Sequence, residues 1–351
     1  MVPEIVLHAI TASALSLTFS VLVAITGKTR WLLQRFAART REVQSLHSDP
    51  VPRLGSIGII VACGVLLWAI GSSDLSFWAL LPLLSIGFIE DLGWGARPLW
   101  RLIAVASSAI IQIGVTGIWI DRTGFATADY VFSLLLMGPI ATVFIITAVS
   151  HSFNLIDGLN GLASITAMSA AAALTYVGVA SGQLGASTLP LVLCFSVLGF
   201  LPVNFPKAYV FLGDTGAYLV GFIIAWSGVS LVYGSAEVSP WAVLLAVFLP
   251  VIDTTASIVR RLWTGTPVGS PDREHMHHLA FDVTSRVFHG TKWTKWANPA
   301  ATVLLLSLVI VPPALSAVYW QNSVHCISAI LILSAVYALA YFGFSSMRQD
   351  R

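Results

Sequence analysis

Charge is the scarcest property of this 351-residue chain: Asp, Glu, Lys and Arg make up 10% of it, against 57% apolar residues. Soluble domains carry about 25% charged residues, so a water-soluble globular protein is excluded. Cysteine is almost missing, and Cys63, Cys194 and Cys326 each sit alone in an apolar run; neither a disulfide framework nor a thiolate metal site fits that pattern. Short alternating segments are absent, which argues against a β-barrel. No basic stretch precedes the first apolar run, which starts at Ile5 and continues past signal length, so it is expected to remain as the first span. There is no low-complexity tract, clear repeat or soluble domain, and no nucleic-acid partner is expected.

What the sequence does have is long apolar runs. A helix needs about 20 apolar residues to cross a bilayer, and about eleven stretches approach that length: 5–26, 54–71, 76–92, 98–119, 131–151, 159–179, 186–203, 214–233, 240–259, 299–319 and 325–345. The expected fold is an all-α polytopic membrane protein, a single domain over 1–351. With eleven spans the connections divide into two sets, and of the 18 Lys and Arg residues only Arg122 falls in one of them. The basic set is expected to be cytoplasmic, which puts the N-terminus in the periplasm and the C-terminus in the cytoplasm. The connection 261–297 belongs to the basic set and is the longest, a length that usually signals function.

Five polar clusters fall on that same face. The first, "SDPVPRLGSIGI", brings Asp49 and Arg53 to a glycine-dotted span; it reads either as a lipid-anchored juxtamembrane segment or as a ligand contact. In the second, "GFIEDL", Glu90 and Asp91 are adjacent. Like charges side by side are relieved by water, by a shared proton or by a divalent cation. The third, "HSFNLIDGLNGLAS", spaces Asn154, Asp157 and Asn160 three apart, on one stripe if helical, with Asp157 alternatively a helix cap. The fourth, "NFPKAYVFLGDTGAYLVGF", carries Asn204 and Lys207, then Asp214 where a helix begins and its amides are exposed. The fifth, "SPDREHMHHL", holds Arg273, His275, His277 and His278. Without cysteine or an HExxH helix nearby it is a weak zinc pattern. Beside Arg260 and Arg261 it reads better as a basic cradle for a diphosphate.

Together these clusters suit a hard cation, Mg²⁺ first, facing a phosphorylated soluble substrate. A site at the membrane surface leaves room for a lipid as second substrate. A transporter is the rival reading, but it calls for ionisable residues near mid-membrane, and Asp253 is the one acid well inside an expected span.

In this order, "NLIDGLNGLA", "FLGDTGAYLVG" and "PDREHMHH" resemble the polyprenyl-phosphate N-acetylhexosamine-1-phosphate transferases, over about residues 47–279. The histidine segment is similar to the N-acetylhexosamine branch rather than the muramoyl-pentapeptide branch. The resemblance implies ten or eleven helices in a bacterial inner membrane with a cytoplasmic active site. It also implies transfer of a sugar 1-phosphate from a UDP-N-acetyl amino sugar to undecaprenyl phosphate with release of UMP, dependence on Mg²⁺, with Mn²⁺ as substitute, and room for a homodimer. On this chain it implies metal binding by Asn154, Asp214 and Asp91, and catalytic work by Glu90, Asp91, Asp157, Asp214, His275, His277 and His278. Substrate binding falls to Arg53, Asn160, Asn204, Lys207 and Arg273. The chain departs from the family pattern at Glu90 and Asn160, where aspartates are usual, and lacks the lysine after the acidic pair, for which Arg97 or Arg101 stand in.

Overall fold

The computed structural model describes residues 2–26, 51–71, 75–132, 136–267 and 272–349. Asp49, the basic residues from Lys28 to Arg41, and Ser270 and Pro271 lie outside them. The described residues form helices and contain no strand. In hydrocarbon every backbone polar group needs an internal partner, and an apolar helix supplies all of them within one segment. The helices are α1 (Val2–Thr26), α2 (Ser56–Ala69), α3 (Phe77–Asp91), α4 (Pro98–Thr116), α5 (Ala126–Phe132), α6 (Met137–Ile156), α7 (Leu162–Ala180) and α8 (Leu184–Asn204). They continue with α9 (Gly213–Gly234), α10 (Pro240–Ala246), α11 (Phe248–Thr264), α12 (Met276–Phe288), α13 (Ala297–Leu304), α14 (Leu306–Tyr319) and α15 (Ser323–Gln349).

Among the described residues eight helical segments are long and apolar enough to cross a membrane, fewer than the eleven expected, and the shortfall has physical causes. α2 has 14 residues and α3 has 15, about 21 and 22 Å at 1.5 Å per residue against about 30 Å of hydrocarbon. Both stop short because their polar ends, at Ser56 and at Glu90–Asp91, are drawn into the site. The expected span 240–259 is broken: α10 and α11 meet at 82°. Pro250, in the first turn of α11, lacks the N–H that would continue the helix from α10. The connection 261–297 is also more ordered than a loop, since it contains α12.

α9 is the hub, with 94% of its apolar window buried against 22% for α1 and 17% for the last helix. Helices approach it through small residues, as lipid-embedded helices generally do. A Cβ on Gly87 of α3 would stand 2.5 Å from the Thr215 Cα, and one on Gly221 of α9 2.7 Å from the Ser150 Cα of α6. The chain reverses at each turn, so the ends of α2, α3, α4, α6, α7, α8 and α9 that carry the polar clusters gather at one end of the bundle. The other end is closed by Ser239 and Ser323 at 2.8 Å and by Trp241 Nε1 donating to the Thr123 carbonyl at 2.9 Å. Exposed tryptophans mark both ends, Trp68 and Trp78 at this one, Trp94, Trp100 and Trp263 at the polar one. Indole favours the water–hydrocarbon boundary.

Candidate active site

Arg53 is carried to α9 by backbone pairing. Phe211 N–H donates to the Pro52 carbonyl at 2.9 Å, and Gly55 N–H to the Phe211 carbonyl at 2.9 Å. Arg53 Nη2 then donates to Asp214 Oδ1 at 2.5 Å, while its Nε stands 3.6 Å from Asp91 Oδ1. One guanidinium thus spans two carboxylates. Asp91, at the end of α3, accepts from Asp214 N–H at 2.8 Å, Thr215 N–H at 3.0 Å and the Thr215 hydroxyl at 2.6 Å. It caps α9 from a different helix, satisfying amides that a helix start leaves open and placing negative charge where the helix dipole favours it. Gly213 allows this: its φ is +79°, and a Cβ would lie 2.7 Å from Asp91 Oδ2. Glu90 points elsewhere, accepting from Ala96 N–H, with Arg101 Nε at 3.9 Å. The adjacent acids therefore have separate partners.

On the facing side Asn154 lies in the last turn of α6, its Oδ1 3.5 Å from the Tyr218 hydroxyl, and Tyr218 meets the His151 ring edge-on at 5.0 Å. Asp157 follows at the helix end. Burial pushes its carboxyl well above the usual carboxylate range, Asp214 and Asp91 push it further, and Arg53 opposes them. Three carboxyl groups therefore sense one another around one arginine. Asn160 is tied down by its amide N–H to Asn298 Oδ1 and by its Nδ2 to the Pro206 carbonyl, both at 2.8 Å, while its Oδ1 is buried without a partner. Asn204 accepts from Gly161 N–H at 2.8 Å and donates to the Val210 carbonyl at 3.0 Å. Both asparagines hold loops in place through these bonds. Lys207 is exposed on the turn that follows.

The histidine segment closes over this loop: a Cβ on Gly158 would run into His277 Nε2. His277 lies 4.1 Å from His278 and 5.8 Å from His275, ring centre to ring centre. Nδ1 of both His277 and His278 is buried and has no hydrogen-bond partner. Buried polar atoms are almost always paired, so these two mark a place for a ligand. Desolvation, reinforced by His278, holds the His277 imidazole well below its ordinary range, and desolvation with His275 and Arg273 brings His278 down to about 4. Both rings are neutral at pH 7.

The expected cradle around them is partly dismantled. Arg260 pairs with Asp272 and, at 2.8 Å, with Glu274 Oε2; Arg261 Nε is 3.4 Å from Asp272. These arginines anchor the segment from within. The Arg273 side chain is exposed, and its carbonyl accepts from Arg348 at 3.2 Å. His275 is held by Asp253, its Nδ1 2.7 Å from Oδ2. Asp253 is thus bound into this segment. Thr215, Tyr218 and His151 also belong to the site; they lie within the quoted clusters but are not singled out there, and Asn298, which holds Asn160, lies in no motif.

Among the described residues no three His, Cys, Asp or Glu side chains stand as a ready chelate. Asp157 nevertheless senses Asp214 and Asp91 electrostatically, with Arg53 the opposing charge, so three carboxyl groups face one guanidinium. That excess of carboxyl groups is of the donor type a hard divalent cation takes, completed by phosphate oxygens.

A family model described as glycosyl transferase family 4 matches residues 75–232. The decaprenyl-phosphate N-acetylglucosaminephosphotransferase of Mycobacterium leprae is 30% identical over 288 residues, 68% of this chain and 69% of that protein. This chain belongs to the polyprenyl-phosphate N-acetylhexosamine-1-phosphate transferase family, glycosyl transferase family 4. The decaprenyl-phosphate N-acetylglucosaminephosphotransferase of Mycolicibacterium smegmatis is 28% identical, covering 82% of this chain and 84% of that protein. For the undecaprenyl-phosphate alpha-N-acetylglucosaminyl 1-phosphate transferase of Escherichia coli K12 the figures are 26%, 66% and 66%. In this member of the transferase family the matched segment holds Glu90, Asp91, Asn154, Asp157, Asn160, Asn204 and Asp214 but neither Arg53 nor His275, His277 and His278. The fold supplies those from outside it, Arg53 onto Asp214 and His277 onto Gly158.

Proposed function

We propose that this protein transfers an N-acetylhexosamine 1-phosphate from a UDP-sugar to undecaprenyl phosphate, releasing UMP, as the first committed step of a bacterial surface polysaccharide such as O-antigen. The observation that carries the reading is the convergence of Arg53, Asp214, Asp157 and the partnerless His277 and His278 nitrogens at one end of a membrane bundle. Cation, carboxylates and neutral imidazoles together suit a diphosphate whose bond is exchanged for a lipid phosphate. The relatives' names, which pair a polyprenyl phosphate with N-acetylglucosamine, support the substrates. A 6-deoxy amino sugar phosphate, FucNAc or QuiNAc, is the alternative cargo by the same chemistry.

In the proposed reaction a lipid phosphate oxygen attacks the sugar-linked phosphorus, the bond to the UMP oxygen breaks, and UMP leaves with that electron pair. Positioning and charge stabilisation supply most of the rate in such transfers. Arg53 binds equatorial phosphate oxygens, and His277 and His278, as neutral N–H donors, hold the diphosphate without competing for its protons. No obligatory base is needed, since the second pKa of a phosphate is near 6. Both Asp91 oxygens already accept hydrogen bonds, which favours direct transfer over a phosphorylated Asp91. Asp214 and Asn154, with Asp157 once deprotonated, would hold Mg²⁺ or Mn²⁺, which neutralises charge on the diphosphate. The density of Lys and Arg in connections at the site's end supports a cytoplasmic site in the inner membrane, with the N-terminus in the periplasm.

The test is to incubate detergent-purified protein with undecaprenyl phosphate and a panel of UDP-sugars, with and without Mg²⁺. A lipid-linked amino sugar phosphate and stoichiometric UMP are expected only with the metal. Transport of a sugar into proteoliposomes with no lipid product would overturn the reading.

A further inference from the structure

Asp253 presents a carboxylate 2% exposed among apolar residues, a placement that is costly unless every oxygen is paired. Its partners come from two distant segments. Oδ2 is 2.7 Å from His275 Nδ1, and Oδ1 accepts from the Met276 amide at 2.8 Å and from the Tyr337 hydroxyl at 2.7 Å. The Met276 amide opens α12, whose own cap residue, His275, gives no side-chain bond; Asp253 caps that helix from outside. From His275 the contacts run ring against ring to His277 and His278, and His277 rests on Gly158 in the acidic loop.

The last helix grips the same segment on both sides of the histidines. Beyond Tyr337, the Tyr341 hydroxyl accepts from Arg260 Nη1 at 2.9 Å, and Arg260 pairs with Asp272 and Glu274. Arg348 donates to the Arg273 carbonyl at 3.2 Å and lies 3.2 Å from Asp282. α15 is the least buried of the eight membrane-length helices among the described residues, with 17% of its apolar window covered, yet it reaches the histidine segment through these three side chains.

We propose that Asp253 and Tyr337 are positioning residues for the donor diphosphate: they fix α12 so that the His277 ring stays against Gly158, next to Asp157 in the acidic loop, with His278 beside it. Neither touches substrate. The inference rests on the transferase reading for what the pocket binds, but not for where the histidines sit.

Two measurements on the full-length protein test it. Tyr337→Phe removes one hydroxyl and keeps the ring, so the melting temperature is expected to stay near that of the parent. Losing a hydrogen bond to a charged group should lower kcat/KM for the UDP-sugar about tenfold, while the KM for undecaprenyl phosphate changes less than about twofold. Asp253→Asn, which removes the charge facing His275, should cost about a hundredfold, and the double variant no more than Asp253→Asn alone, because the hydroxyl acts through the carboxylate. In parallel, diethylpyrocarbonate labelling of His277, quantified by mass spectrometry without substrate, should accelerate in both variants. Equal loss for donor and acceptor, or unchanged His277 labelling, overturns the proposal. A parent protein that transfers nothing, while the labelling still responds, would instead sink the transferase reading and leave the positioning roles intact.

Discussion

Arg53 and Asp214, 161 positions apart in the chain, meet at 2.5 Å between guanidinium and carboxylate at the start of the most buried helix. The pair joins the segment before α2 to α9. Asp214→Ala should reduce UMP release at least about 100-fold, the scale of removing one charge-stabilising group from a preorganised site. Arg53→Ala should cost a similar factor, and the double variant little more, since the two act as a unit. Full additivity in a steady-state comparison of the three variants would separate their roles.

Asp91 should matter for folding more than its neighbours do. Asp91→Ala strips α9 of its cap and leaves the Asp214 and Thr215 amides buried and unpaired, a loss on the order of 2 kcal/mol or more. Thermal unfolding in detergent is expected to show a lower midpoint for Asp91→Ala than for Asp214→Ala. Matching midpoints would refute the capping role.

Gly158→Ala should inactivate without unfolding. Its backbone suits any residue, but the new methyl group would displace the His277 ring. Gly185→Ala, a position with nothing within 4 Å, is the companion with unchanged turnover and melting. Should both variants retain full turnover, contact of His277 with this loop has no bearing on the reaction.

The histidines and Asp157 give opposite pH slopes. His278 is lowered from 6.5 to about 4, so the unfolded chain takes up a proton on acidification before the folded one does. Its contribution is fully present above about pH 6.5 and is lost as pH falls toward about 4; His277 acts in the same direction. Asp157 is raised, chiefly by burial, so its penalty grows as pH rises above the unfolded value of 3.8 toward its folded value. Melting curves between pH 4 and 8 should therefore show His278→Gln flattening the acid limb. Asp157→Asn should raise the midpoint at pH 8 while lowering turnover, the trade expected when an active site stores charge strain. A midpoint for Asp157→Asn below that of the parent at pH 8 would contradict a carboxyl crowded by Asp214 and Asp91.

Apolar run length and the placement of 18 Lys and Arg residues were enough to specify a helical membrane protein with one chemically rich end, because hydrocarbon admits few backbone solutions and those leave a periodic, local trace in composition. The clusters around Asp91, Asp157, Asp214 and His277 were legible for the same reason: ionisable residues in a chain with so little charge stand out singly. The partners of those residues were not legible. That Asp91 would cap α9, that Arg260 would serve Asp272 rather than a ligand, and that Asp253 would hold His275 with Tyr337 are all contacts between residues 12 or more positions apart. The two short helices and the 82° break between α10 and α11 belong with them, since a hydropathy window cannot tell a span from a helix that ends early to feed a site. Hydrogen bonds between distant segments exist only once close packing through residues such as Gly87 and Gly158 has set the distances, and packing of that kind is a property of the folded bundle.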